Sequence, residues 1–467
     1  MLDEPIEEPH SMDWRAERGC LPKMLETVSS QPAYVPRIAE IVLFVRDLDE
    51  DQEICYHEED HDYKIYNTAK RGFEGHPRWE AGVVTQVAAE QVTIDDLVLQ
   101  GGKTNPLNYA DFRLEPLPDP NDPNSKNESR RYRYLSLHHT RPFVFYKELH
   151  ANIPKNRWHT TVKNALMLSA TFTLVEKTRF RGVWPNASVF CKAIYLGAEL
   201  LLVGDVVRLI SANDPSRQKV TDILQITDIS LDFANLDLAS DNDKDEQHHN
   251  IKVKITGKAY TVDHERSSSN KPINVDAVND KLSDVASIYL NLYPRHGASH
   301  SAKFPFSRIL GRCYEANAML LWFPDTDVPD LSIGLSGTVN AREYARTSDK
   351  RIVKRGRQKW FWAETRTEAL DLETFNGVSV GAKDNTREPR KWVKHIDIID
   401  GMARNQDTVK RRREFQDTSP SLRKCKHPSA MANNVVETEL KAGRKRNRVD
   451  DDESHLERSK DFVILSE

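Results

Sequence analysis

Eight basic residues, Arg342, Arg346, Lys350, Arg351, Lys354, Arg355, Arg357 and Lys359, crowd into positions 342 to 359 and lead directly into Trp360-Phe361-Trp362. Guanidinium and ammonium groups contact phosphates and aromatic rings stack on bases, so this pairing reads as a nucleic-acid-binding stretch whose attraction weakens steeply with salt. The competing reading is a solvated charged face over a core anchored by tryptophans. A smaller candidate is Lys177, Arg179 and Arg181, ahead of Gly182-Val-Trp-Pro. Two further clusters, Lys410, Arg411, Arg412, Arg413 and then Arg444, Lys445, Arg446, lie in polar surroundings that leave them accessible to a receptor groove, the pattern of nuclear localisation signals.

Catalytic signatures are missing from the sequence. It contains no GxxxxGK[ST], GxSxG or HExxH motif and no dinucleotide fingerprint. His138 and His139 adjoin a strand-like segment, where neighbouring side chains point to opposite faces, so they are expected as one packed and one exposed histidine and not as a shared metal site. Carboxylates come in runs, Asp47 to Asp51 and Asp241 to Glu246, as solvated loops do. The five cysteines (Cys20, Cys55, Cys191, Cys313, Cys425) are isolated and odd in number, with no CxxC or CxxH pair, which suits a reducing compartment. The expectation is a protein that is not an enzyme, with no cofactor, metal or small-molecule substrate.

At 467 residues the chain exceeds one compact core, which predicts two or three domains with unstructured ends. A net charge of -4 makes any polyanion site a matter of local clustering. No signal pattern opens the chain, and no stretch reaches the roughly 18 to 20 apolar residues of a membrane span, so an intracellular protein without membrane insertion is expected.

The elements that would position these residues are mostly strands. After a flexible arm (1–30) with room for one short helix, Ile38 to Val45 reads as a buried strand and Trp79 to Val87 as another. Asp47 to Asp62 and Glu115 to Asn127 read as exposed loops, and Arg131 to Leu137 as a further strand. Residues 158–170 carry Val162, Ala165, Leu166 and Ser169 at helical spacing. Strands follow at Thr171 to Val175, Val189 to Gly197, Leu200 to Ile210 and Val220 to Ile229, with a Gly204-Asp205 turn. Ile251 to Val262 is the cleanest period-two strand, and Gly257 suggests a bulge in it. Ala239 to Asn250 and Glu265 to Lys271 read as loops, and Ala318 to Phe323 and Ile333 to Val339 as late strands. The predicted fold is mainly β with some helix, as two small β-barrel-like modules at 31–157 and 171–345 joined by a 158–170 helix. A basic and aromatic extension (346–400) and a disordered basic tail (401–467) complete the division.

Four strings, Pro36-Arg-Ile-Ala-Glu-Ile-Val-Leu-Phe-Val-Arg, Gly75-His-Pro-Arg-Trp-Glu-Ala-Gly-Val-Val-Thr-Gln-Val, Arg141-Pro-Phe-Val-Phe-Tyr-Lys-Glu-Leu, and Ala193-Ile-Tyr-Leu-Gly-Ala-Glu with Val203-Gly-Asp-Val-Val-Arg-Leu, resemble the fungal cryptic loci regulator 2 family of heterochromatin silencing factors over about residues 14 to 345. The resemblance implies a nuclear, heterochromatin-bound adaptor for transcriptional gene silencing. In a SHREC-like complex it would link a histone deacetylase and a chromatin remodeller, with nucleosomal DNA as a further partner. It also implies that the second module is similar to a BAH domain, opening at Gly204-Asp205-Val-Val-Arg-Leu. Family members carry a further N-terminal region before the Pro36-type strand, so a truncated or paralogous chain is expected here. The rival expectations are a scaffold that binds only proteins and, less favoured, a hydrolase or transferase using dispersed carboxylates or histidines.

Overall fold

The computed structural model describes residues 2–5, 23–98, 111–211, 219–236, 251–274, 280–286, 291–297, 300–324, 330–354 and 359–379. Its largest element is an eleven-stranded sheet that curls into a half-barrel. The strand path runs Leu2–Pro5, Thr171–Val183, Asn186–Leu196, Asp222–Phe233, Val206–Leu209, Ile309–Arg312. Ile251–Thr261 joins the far side of Asp222–Phe233 along its length and carries Tyr293–Pro294 and Ala302–Pro305. Glu199–Leu202 pairs with Asn186–Leu196, and Phe361–Trp362 adds in parallel to Thr171 and Phe172. Alternation makes this sheet: Val253, Ile255, Gly257 and Ala259 are buried, while Lys252, Lys254, Thr256 and Lys258 occupy the other side.

Gly257 is not itself the bulged residue. The register shift lies opposite, between Ile226 and Asp228, which leaves Thr227 as the extra residue. The glycine has a steric role, since a Cβ there would sit 2.0 Å from the Gln225 carbonyl oxygen.

A second sheet, ordered Arg133–Leu135, Phe112–Pro116, Trp79–Gln86, Ile41–Val45, Thr140–Pro142, packs beside the half-barrel. Ile41–Val45 is buried on both faces, which is why it reads as a continuous apolar run and not as an alternation. The helix Thr160–Met167 and its Leu168–Ala170 turn join the sheets, with Val162, Ala165 and Leu166 buried. The His159 imidazole caps this helix by accepting the Thr161 N–H. One hydrophobic cluster runs from Met24, Leu25 and Val28 of a helix over 23–30, through Phe44 and Trp79, to Tyr195, Leu200, Trp322 and Phe375, so the two sheets share a core.

Several local expectations fail. The Asp47 to Asp62 stretch contains the strand Gln52–His57, which pairs with Asp62–Asn67 and then Gly72–Gly75 in a separate three-stranded sheet. Ile54 and Tyr56 pack on the core from there, an alternation hidden by the acidic residues on either side. Within Glu115 to Asn127, Leu117 is fully buried and Lys126 pairs with Asp371. Ala316–Trp322 and Leu335–Ser348 are helices, not strands. Buried Ala318, Met319 and Trp322 are neighbours at helical spacing, as are Ala341 and Ala345, and short windows hid that period. The Ala239 to Asn250 loop and the 401–467 tail lie outside the described residues.

Candidate interaction surface

A buried ionic network fixes how the sheets meet. Arg37, just before the Ile41–Val45 strand, makes a bidentate pair with Asp205 at 2.5 and 3.0 Å and donates to the Leu200 carbonyl at 2.7 Å. Asp205 follows Gly204, whose φ of +98° makes the turn, and also accepts the Leu202 N–H at 2.9 Å and the Lys281 ammonium at 2.9 Å. Burial pushes the Asp205 carboxyl up, but Arg37 and Lys281 outweigh it and hold the group well below the usual carboxylate range. Beside it Arg312 pairs with Glu40 at 2.8 Å, and the Tyr314 hydroxyl donates to Glu199 at 2.5 Å. Burial raises the Glu40 carboxyl despite Arg312 and Arg37. These charges pair with one another inside the protein, and their effect is to hold the two sheets in one geometry.

Two of the six described basic residues before Trp360, Arg342 and Arg351, turn inward. Arg342 is buried on the Leu335–Ser348 helix, where it donates to the carbonyls of Ser307 and Ile309 at 3.2 and 2.7 Å and lies 5.3 Å from the Trp360 ring centroid. Burial lowers its pKa to about 10. Arg346 is half-buried, donating to the Lys359 carbonyl at 3.3 Å and pairing with Glu343 at 3.1 Å. Arg351 binds Asp349 at 2.8 Å, donates to the carbonyls of Glu368 and Ala369, and covers the Phe361 ring at 4.4 Å. Lys350, Lys354 and Lys359 are exposed, with Lys350 donating to the Asn121 carbonyl at 3.2 Å. The aromatics pack: Phe361 is buried, and Trp360 and Trp362 lie against the half-barrel core. Arg342 and Arg351, two of the eight proposed phosphate contacts, therefore act as internal donors to backbone carbonyls of other elements. Arg355, Arg357, and the localisation residues Lys410, Arg411, Arg412, Arg413, Arg444, Lys445 and Arg446 lie outside the described residues.

The half-barrel assembles a different basic surface. Register places Arg179 in line with Phe190, Ser230 and Lys254, and Arg181 in line with Ser188, Asp232 and Lys252. Thr256 links Asp228 on one side with Lys303 on the other. Among the described residues, Arg179, Arg181, Lys192, Lys252, Lys254, Lys258 and Lys303 thus share the outer face of the sheet with the carboxylates Glu176, Asp228 and Asp232. Lys254 bonds Asp232 at 2.7 Å and Lys192 bonds Glu176 at 3.3 Å. Arg179 and Lys254 stand three strand spacings apart, about 14 Å. Sequence reasoning noted Arg179 and Arg181 and found the Ile251–Thr261 strand, but missed that its alternating Lys252, Lys254 and Lys258 complete one surface. The signal was the lysine at every second position but one of a period-two strand.

His138 and His139 are both buried, which corrects the expectation of one exposed ring. They sit in a helical turn, Leu137–His139, and not in a strand, with ring centroids 4.2 Å apart. His139 Nδ1 lies 3.1 Å from the Val45 carbonyl, and burial lowers the His138 pKa to about 3. Among the described residues no group of three His, Cys, Asp or Glu is placed to hold a metal ion. Cys191 and Cys313 are buried free thiols that burial pushes up to about 12.

Residues 190–315, which run from within Asn186–Leu196 past Ile309–Arg312, match the model of the family described as the transcription-silencing protein Clr2. A solved structure of Clr2 bound to the Clr1 C-terminus is similar at 14% identity and a TM-score of 0.38, over 76% of this chain and 61% of that one. The chain thus spans about three-fifths of the length of that solved relative. No curated protein sequence matches the chain.

Proposed function

We propose that the chain, whose residues 190–315 match the model of the transcription-silencing protein Clr2, is a non-catalytic, nuclear silencing adaptor that holds protein partners and nucleosomal DNA together at heterochromatin. The protein partners are a histone deacetylase and a chromatin-remodelling subunit of a SHREC-like complex. The observation that supports the DNA contact is the outer face of the half-barrel, where among the described residues seven cations stand with three carboxylates on one sheet. Ammonium and guanidinium groups arrayed along one face of a sheet favour phosphate attraction over base readout. The half-barrel is the candidate for the BAH-like module.

Charge reversal tests the assignment. Lys252→Glu, Lys258→Glu and Lys303→Glu together should abolish most retention on nucleosomal DNA, whereas Lys350→Glu with Lys354→Glu should leave most of it. With about four phosphates neutralised, affinity should fall by roughly two orders of magnitude between about 50 and about 200 mM salt. Retention and salt slope unchanged by the triple reversal would refute the DNA contact and leave a scaffold that binds only proteins. Affinity purification from nuclease-treated nuclear extract tests the adaptor role: recovery of a deacetylase with a remodelling ATPase supports it, and their absence opposes it.

A further inference from the structure

The Ile251–Thr261 strand pairs with Ala302–Pro305 as far as Gly257 and with Tyr293–Pro294 from Tyr260 onward. Between those pairings Lys258, Ala259 and Tyr260 line a cleft of about 370 Å3. Lys258 and Tyr260 are two positions apart and so share one face of the strand. A serine loop and a histidine turn complete the lining. The loop is fixed by Ser268, whose N–H and hydroxyl both donate to the Pro294 carbonyl, at 2.8 and 3.0 Å. The turn is closed by the His300 N–H, which donates to the Gly297 carbonyl at 2.9 Å, and His296 and His300 both line the cleft. We propose that this cleft binds the phosphorylated side chain of a protein partner, a phosphoserine or phosphothreonine within a peptide segment.

The donors of the cleft carry the assignment. Tyr260 is 7% exposed, yet no described residue hydrogen-bonds its hydroxyl. A phenol buried to that degree is normally partnered, so this one is left to whatever fills the cleft. Burial raises its pKa and keeps it a donor. Lys258 and His296 are exposed, and neither side chain is paired among the described residues. The Ser269 hydroxyl accepts the Lys271 N–H at 3.2 Å and keeps its own proton to give. Ammonium, imidazole, hydroxyl and phenol outnumber the two oxygens of a carboxylate and suit the three of a phosphate monoester. None of the described lining residues is a carboxylate. Asp222 is held at 2.7 Å by each of Arg266 and Arg295, the latter flanked in sequence by lining residues, so its charge is already neutralised. Ala259, Ile273 and Pro294 give the cleft an apolar side for the carbons that carry the phosphate. A side-chain phosphate stands clear of its backbone and can enter a concavity, whereas a duplex phosphate is flanked by sugars, so the cleft favours a peptide. The inference goes beyond the adaptor reading by naming the partner's chemistry. It shares Lys258 with the DNA-facing surface, and uncharged Tyr260 separates the two.

Fluorescence anisotropy on the full chain tests the site, with a labelled pool of peptides holding one phosphothreonine among random flanking residues. This pool should bind at least about tenfold tighter than the same pool with unmodified threonine. Tyr260→Phe removes one oxygen and keeps the ring in its hydrophobic cluster. It should weaken phosphopeptide binding about fivefold to tenfold and leave retention on nucleosomal DNA unchanged. Lys258→Ala with His296→Ala should weaken phosphopeptide binding at least about tenfold. Equal binding of the two pools by the parent chain, a comparison that needs no variant, would overturn the site. Phosphopeptide binding unchanged by Tyr260→Phe would overturn it as well. Inorganic phosphate that displaces the pool as effectively as unlabelled phosphopeptide would assign the cleft to a free anion and overturn the peptide. Loss of DNA retention in Tyr260→Phe would assign it to a nucleic-acid phosphate, with the same consequence. Failure of the DNA contact leaves the comparison of the two pools standing, so the two ideas fail separately.

Discussion

Replacing Asp205 by Asn tests whether the buried network holds the sheets together. The carboxylate is 3% exposed and its partner Arg37 1%. The substitution would leave that guanidinium inside the protein with the Leu200 carbonyl and a neutral amide in place of a bidentate ion pair. Removing one partner of such a pair costs about 3–5 kcal/mol, because the surviving charge keeps its desolvation penalty and loses its compensation. For a folded unit of this size that corresponds to a fall in Tm of roughly 5 °C. Replacing both, Arg37→Met with Asp205→Leu, should cost at least about 2 kcal/mol less than the sum of the single changes. The dependence on pH has a definite sign. Because the folded carboxyl titrates below its ordinary value of 3.8, its stabilisation is present above about pH 4 and is lost as pH falls through the folded value. Thermal unfolding of the parent, both singles and the double, at pH 7 and below pH 4, reads all of this. Single variants within about 1 kcal/mol of the parent, additive costs, or a gap that widens on acidification would each refute the reasoning.

Arg342→Ala should lower stability by about 1–3 kcal/mol in the same assay, since the buried Ile309 carbonyl and the part-buried Ser307 carbonyl lose their donor. Exposed Lys354→Glu should change it by less than about 0.5 kcal/mol. Buried His138 and His150 have pKa values lowered to about 3 and about 4 from 6.5, so both are neutral in the fold and protonate first in the unfolded chain. Their contribution is complete above about pH 6.5 and declines towards the folded values, by about 1.4 kcal/mol per pH unit for each histidine. His150→Phe should flatten that limb, and a slope unchanged in unfolding between pH 6 and pH 4.5 would count against it.

What was legible in the sequence followed from local periodicity. Ile41–Val45, Trp79–Gln86 and Ile251–Thr261 are runs or alternations of β-branched and bulky residues, and Thr160–Met167 spaces its apolar residues at the helical period. Elements with diluted or short patterns were not legible. Gln52–His57 is flanked by carboxylates, and Ala316–Trp322 is barely two turns long. The surface was half legible: the lysines of Ile251–Thr261 stand in plain alternation, yet only pairing through Asp222–Phe233 and Asn186–Leu196 brings them into line with Arg179 and Arg181.

Residue order alone determined the strand-rich class, the helix between the sheets and the family-like strings, because each depends on neighbours a few positions apart. Only tertiary structure decided which cations face water. Arg342 and Arg351 turn inward because carbonyls at the ends of distant elements need donors there, at Ile309 and at Glu368 and Ala369. Lys252 and Lys303 face outward because the opposite side of their strands carries the core. A charge's direction is set by what packs against the other side of its element, and that partner can lie a hundred residues away.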